Sequence, residues 1–198
     1  ATPLIGVRIR NGNYWFSVNN IHVDNTADQG IYSDTGTQAG KFNNLLVVGA
    51  LLNQARASIA AACEIHGLDH EGSFIEAGCG QNAFSTNYNL ATPLFTAGVW
   101  FDAGSDFNFF SITGESSDTG IYVTGSSSTY VALRPNFNIG HCMIDASSGT
   151  VFTGTRILNN GRAAASTYDG FYKFSSSLVA GSGLILLNGM QYYVPGGT

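Results

Sequence analysis

The chain has 198 residues, of which 44% are hydrophobic and only 11% charged, with 25 Gly, 4 Pro and a formal net charge of -5. Eight Lys and Arg against thirteen acids argue against nucleic acid, and no apolar run reaches the roughly 20 residues that span a bilayer, so no membrane insertion is expected. A surface so poor in charge is built from Ser, Thr, Asn, Gly and Tyr, whose hydroxyl and amide groups suit sugars or close self-association.

The opening residues, ATPLIGVRIRNG, lack a basic segment followed by an apolar one, so no signal peptide is expected there. In VRIRNGNYWFSVNNIHVDN, Val7 and Ile9 alternate with Arg8 and Arg10, Asn-Gly makes a turn, and Val18, Ile21 and Val23 start another strand. The next section, KFNNLLVVGALLNQ, repeats that order: Asn19-Asn20-Ile21 falls 24 residues before Asn43-Asn44-Leu45. GIYS at Gly30 and GIYV at Gly120 lie 90 residues apart, close to four such periods. ASIAAACEIHGLDHEG has helical potential from Ala57, Ala60, Ala61 and Ala62, while the alternation of Ile59, Ala61 and Cys63 fits a strand equally well.

From Phe107 to Asn160, short apolar pieces are separated about every 8–12 residues by Gly, Ser, Asn, Asp or Pro, the punctuation of an all-β chain. Ile121 and Val123 flank Tyr122, and Val131 and Leu133 neighbour Tyr130, so Tyr122 and Tyr130 are expected on an outer face opposite an apolar one. At the end, Leu184 to Leu187 and Met190 to Val194 flank Asn188-Gly189, which reads as a hairpin cap. Recurrence every roughly 20–30 residues predicts one domain of stacked strands, a solenoid, with a β-sandwich as the alternative.

The Gly-rich, charge-poor pieces GIYSDTG, FNFFSITGESSDTGIYVTG, FNIGHCMIDASSG and RILNNGR, with the closing NGMQYYVPGG, resemble the right-handed parallel β-helix of bacteriophage tailspikes, tail fibres and related pectate-lyase-like proteins, over most of residues 5–175. The resemblance implies a homotrimeric, virion-borne protein, extracellular or on the virion surface, that binds and sometimes cleaves bacterial surface polysaccharide. A β-helix domain over 1–175, of about six or seven coils of about 24 residues, and a capping and association segment over 176–198 are expected. Between Tyr168 and the C-terminus the only charged side chains are Asp169 and Lys173, so this stretch is predicted to pack against neighbouring chains.

Chemistry concentrates in EIHGLDHEGSFIE, which holds Glu64, His66, Asp69, His70, Glu71 and Glu76. In an extended chain Asp69 and Glu71 share a face, as do Glu64 and His66, which makes Asp69 and Glu71 the candidate catalytic carboxylates at the roughly 5–10 Å that glycoside cleavage needs. His66 and His70 are four apart, a spacing that suits a helix, but Gly67 intervenes, so no metal is expected. Asp24, Asp28 and Asp34 are read as turn residues rather than calcium ligands, and His22 and His141 as structural histidines.

No P-loop, nucleophile elbow or dinucleotide fingerprint occurs, so no cofactor is expected. The sugar-stacking candidates are Tyr14, Trp15, Trp100, Tyr122 and Tyr130. Cys63, Cys79 and Cys142 lack metal or redox spacing and read as buried free thiols. Polygalacturonase signatures such as Asn-Thr-Asp and Gly-His-Gly are absent. The expected function is therefore carbohydrate recognition with little or no catalysis, with a polysaccharide lyase or glycoside hydrolase, or a structural filament or capsid component, as alternatives.

Overall fold

The apolar pieces separated by turn residues form strands, and no helix occurs among the residues that the computed structural model describes: 4–51, 59–80, 96–136, 143–145, 150–154, 156–158, 172–174, 186–188 and 191–193. In chain order the strands are Val7–Ile9 (β1), Ser17–Asp24 (β2), Ile31–Ser33 (β3), Lys41–Ala50 (β4), Ala60–Leu68 (β5), Glu71–Cys79 (β6), Thr96–Ser105 (β7), Asn108–Glu115 (β8) and Thr119–Val123 (β9). They continue with Thr129–Val131 (β10), Arg134–Asn136 (β11), Met143–Asp145 (β12), Val151–Thr153 (β13), Arg156–Leu158 (β14), Tyr172–Phe174 (β15), Leu186–Asn188 (β16) and Gln191–Tyr193 (β17). From Ala60 on, the alanine-rich piece is thus a strand, β5, whose small side chains are buried between β3 and β7, while Ala57 lies outside the described residues.

The chain alternates between two sheets. β1, β3, β5, β7, β9, β12 and β15 form one in that order, and the other strands form the second, in which the long β8 is followed by shorter pairs, β10 with β11, β13 with β14 and β16 with β17. Every ladder among the described residues is parallel, so the antiparallel pairing of a sandwich is not seen. The hairpin expected across Asn188-Gly189 is corrected on the same ground: β16 pairs in parallel with β13 and β17 with β14. Asn188 sits at the register position of Thr153, and Gly189 lies outside the described residues. Leu184, Ile185 and Val194 lie outside the described residues.

The 24-residue period holds between β1 and β3, where Val7 faces Ile31, and between β2 and β4, where Asn19 faces Asn43 and Ile21 faces Leu45. Elsewhere the offset varies from 21 residues (Asn108↔Thr129) to 37 (Glu71↔Asn108). The two GIY pieces are therefore three register steps apart, not four, through Ile31↔Cys63, Cys63↔Val99 and Val99↔Ile121.

Between the two halves of the second sheet, one residue per step takes a left-handed conformation: Asn20, Asn44, Phe74, Ser111 and Ala132, with φ of 56, 53, 57, 57 and 56°, then Gly154. Each such L-residue costs about 1–2 kcal/mol, least for Asn, so the paired asparagines are a local solution to a strained corner. Asn44 Nδ2 donates to Asn20 Oδ1 (2.7 Å), and beside them Asn43 Nδ2 donates to Asn19 Oδ1 (3.1 Å).

One apolar core lies between the sheets, with Ile31, Ile65, Val99, Phe101, Ile121 and Val123 from the first and Phe42, Leu45, Ile75, Phe109 and Ile112 from the second. Phe42, Phe109, Tyr130 and Phe152 follow one another inside it at centroid spacings of 6.4, 6.4 and 5.5 Å. Tyr130 is 0% exposed, which corrects its expected place on the outer face. Ala132 at positive φ breaks the alternation, so Val131 and Leu133 do not share a face and Tyr130 points inward with its register partners Phe109 and Phe152. The sheets approach closely at Gly98, where an added Cβ would lie 2.6 Å from the Glu115 N and 2.7 Å from the Ala77 O.

Candidate functional site

Register places a line of side chains along the outer face of the first sheet. Arg8 pairs with Tyr32, Tyr32 with Glu64, Glu64 with Trp100 and Trp100 with Tyr122. Because strand side chains alternate, the residues two further on, Asp34, His66, Asp102 and Thr124, return to that face and form a second line, in which His66 pairs with Asp102. The Trp100 and Tyr122 rings lie 5.3 Å apart, and Trp100 Nε1 donates to Thr124 Oγ1 (3.2 Å). Arg8 donates through Nε and Nη2 to Asp34 Oδ1 (3.1 and 2.9 Å), and its guanidinium sits 5.4 Å from the Tyr32 ring centre.

The centre of the face is the buried trio Glu64, His66 and Asp102. His66 Nε2 lies 2.7 Å from Glu64 Oε1 and its Nδ1 lies 3.1 Å from Asp102 Oδ2, with side chains 6%, 7% and 21% exposed for His66, Glu64 and Asp102. Glu64 Oε2 also accepts from Gln29 Nε2 (3.2 Å), and Asp102 Oδ1 accepts from Thr124 Oγ1 (2.6 Å). The Tyr32 and Trp100 rings border the imidazole at 5.2 and 6.0 Å. Burial pushes the Tyr32 phenol above its usual range, helped by Glu64, Asp34 and Asp102 against Arg8; burial and then Asp102 do the same to Tyr122. Both phenols therefore stay protonated donors at neutral pH beside a half-buried indole.

The thirteen-residue ionisable stretch is divided among three environments. Glu64 and His66 share the outer face of the first sheet as the alternation required, and His70 is buried in the core. Asp69 occupies a left-handed corner (φ 55°) and accepts from Gln38 Nε2 (2.9 Å), while Glu71 is on the second sheet, paired with Lys41 at 2.7 Å. Neither belongs to the trio. His66 and His70 diverge, the latter donating toward the His66 carbonyl (2.9 Å) rather than sharing a ligand with it.

Of the aromatic candidates, Trp100 and Tyr122 are brought together, whereas Tyr14 and Trp15 stand out into solvent (59% and 87% exposed) near the start of β2. His22, expected to be structural, is exposed and pairs with Asp24 at 3.0 Å. Cys63 and Cys79 are buried thiols, the latter in hydrogen-bond contact with Ala97 O and Ser117 Oγ, and His141 and Cys142 lie outside the described residues. Asp102 and Tyr32 were not singled out from the sequence. Aligning GIYS with GIYV would have joined Tyr32 to Tyr122, and the matching pairs Glu64-x-His66 and Trp100-x-Asp102 would have brought in Asp102.

A second carboxylate pair, Glu76 and Glu115, lies on the second sheet, where burial, then Glu76, pushes Glu115 upward against a hydrogen bond from Asn136. Comparison with protein-family models, with curated proteins and with solved structures gives no match for this chain.

Proposed function

We propose that the chain is a right-handed parallel β-helix that binds bacterial surface polysaccharide through the outer face of its first sheet, as part of a phage tailspike, tail fibre or surface adhesin exposed on the virion or outside the cell. The alternation of the chain between two all-parallel sheets supports the solenoid reading. The observation that carries the binding reading is the line Tyr32, Trp100, Tyr122 beside Asp34, Asp102 and Thr124: flat rings cover the apolar faces of pyranoses while carboxylates and hydroxyls take their hydroxyl groups. Glu64, Asp34 and Asp102 make the face acidic, which favours neutral or amino sugars over uronates.

A lyase or hydrolase reading draws on Glu64 and Asp102, whose oxygens lie within 4.8 Å of each other. The His66 ring fills the gap between them, so these carboxylates address an imidazole rather than a glycosidic oxygen, and recognition without cleavage fits better. Homotrimer formation through residues 168–198 belongs to the same proposal and rests on the charge-poor composition of that stretch.

The test is a bacterial polysaccharide array probed with the full chain, followed by titration of the best glycan. Trp100→Ala and Tyr122→Ala should each weaken binding by about tenfold, roughly 1.4 kcal/mol, with Trp15→Ala unchanged. Release of sugar ends should be undetectable. Binding to none of the glycans, or loss on Trp15→Ala alone, would overturn the assignment of this face, and a compact monomer in sedimentation would remove the trimer.

A further inference from the structure

We infer that His66 and Asp102 chelate a divalent transition-metal ion, with Glu64 orienting the imidazole. Glu64 Oε1 lies 2.7 Å from His66 Nε2 in hydrogen-bonding geometry. A carboxylate only accepts, so Nε2 carries a proton and donates it, and in the neutral ring Nδ1 keeps its lone pair. Nδ1 is shielded from solvent, has no hydrogen-bond partner, and yet sits 3.1 Å from Asp102 Oδ2. The contact is close but not aligned as a hydrogen bond. In the neutral ring that lone pair and the carboxylate's repel, in a site only 6% exposed at the histidine, unless a proton or a metal ion lies between them, and the poor alignment disfavours the proton.

The spacing fits such a cation. Donors 3.1 Å apart, each about 2.1 Å from one ion, subtend about 95° at it, an ordinary angle for an imidazole and a carboxylate on zinc, cobalt or manganese. The supporting groups are those that metal-bound histidines use. Glu64 takes the proton on the far ring nitrogen and is itself held by Gln29 Nε2 on Oε2, while Thr124 Oγ1 donates to the other oxygen of Asp102 (2.6 Å). Asp102 is the most exposed of the three, so the coordination left open by the protein faces outward, toward water or a hydroxylated ligand. His22 and Asp24 form a superficially similar pair at 3.0 Å, but that contact is an aligned hydrogen bond on an exposed surface and makes an internal control.

The proposal shares Asp102 with the glycan-binding face but does not depend on that reading, and it is tested without a glycan. The metal-free full chain is titrated with Zn²⁺ by calorimetry and with Co²⁺ by visible absorption. One ion per chain is expected, with affinity reduced at least tenfold in His66→Gln and Asp102→Asn, reduced about 10–100-fold in Glu64→Gln, and unchanged in His22→Gln. Should a variant fail to fold, paramagnetic shifting of the His66 ring protons by Co²⁺ in the unaltered chain reads the same contact. No uptake at millimolar Zn²⁺, or uptake that His22→Gln abolishes, would overturn it and leave the trio as an ion pair of the imidazolium.

Discussion

His70 makes the fold sensitive to acid in a way that can be measured. It is 0% exposed, and the Gly40 N–H donates to its Nδ1 (2.8 Å), so Nε2 carries the proton and donates it to the His66 carbonyl (2.9 Å) beside Thr37 Oγ1 (3.0 Å). The ring stacks on Phe107 and meets Phe42 edge-on, each at 5.4 Å. A second proton on Nδ1 would face the Gly40 N–H with no acceptor, and burial holds the pKa down at about 4 against the opposing pull of the His66 carbonyl and Asp69.

In the unfolded chain the same group titrates near about 6.5. Between these values the unfolded state binds more protons, so the stabilisation is complete above the unfolded pKa and is lost as pH falls toward about 4. At 1.36 kcal/mol per pH unit the loss is at most about 3.4 kcal/mol. Urea unfolding at neutral pH and at about pH 4.5, on the wild type and on His70→Gln, isolates it, since every other titrating group is common to both chains. The wild type should lose about 2–3 kcal/mol more than the variant. Equal losses would refute the reasoning.

At Gly98 an added methyl would meet only backbone, 2.6 Å from the Glu115 N and 2.8 Å from the Gly114 Cα, so Gly98→Ala should cost about 3 kcal/mol or more in chemical denaturation. Asn44→Ala should cost about 1–2 kcal/mol and Asn44→Gly less, because glycine removes the strain at φ 53° and forfeits only the side-chain hydrogen bond to Asn20. The Cys63 thiol, pushed up to about 12 by burial and then by Glu64, should resist a disulfide reagent in the native chain and be labelled, by peptide mass, only at the rate of unfolding.

The all-β class and the stacking of Asn19-Asn20 on Asn43-Asn44 were legible because a strand leaves a two-residue alternation and a parallel ladder leaves a fixed offset. Tyr122 was legible for the same reason, lying between two inward residues of an unbroken strand. Tyr130 was not, since a left-handed residue at Ala132 reverses the facing of the next residues without leaving any mark in the hydrophobic pattern. The candidate site was half visible. Glu64 and His66 are two residues apart on one strand, but Asp102 arrives 36 residues later than His66, an offset that the 24-residue period does not predict. Asp69 and Glu71 do not share one extended strand, because a corner at Asp69 ends one sheet and Glu71 begins the other.

The uniformity of the ladders has a kinetic consequence. Each pairing joins residues between 21 and 37 positions apart, and the entropic cost of closing such segments differs by only about 0.5 kcal/mol from shortest to longest. No single closure therefore dominates the barrier. Ordering can begin wherever local packing is best, and the aromatic cluster of Phe101, Phe107, Phe109 and Tyr130, with centroids 4.7 to 6.4 Å apart, is the natural seed. Growth then runs outward in both directions, so amide protons near β1 should exchange before those of β7 and β8, with protection graded along the molecule instead of collapsing in one cooperative step.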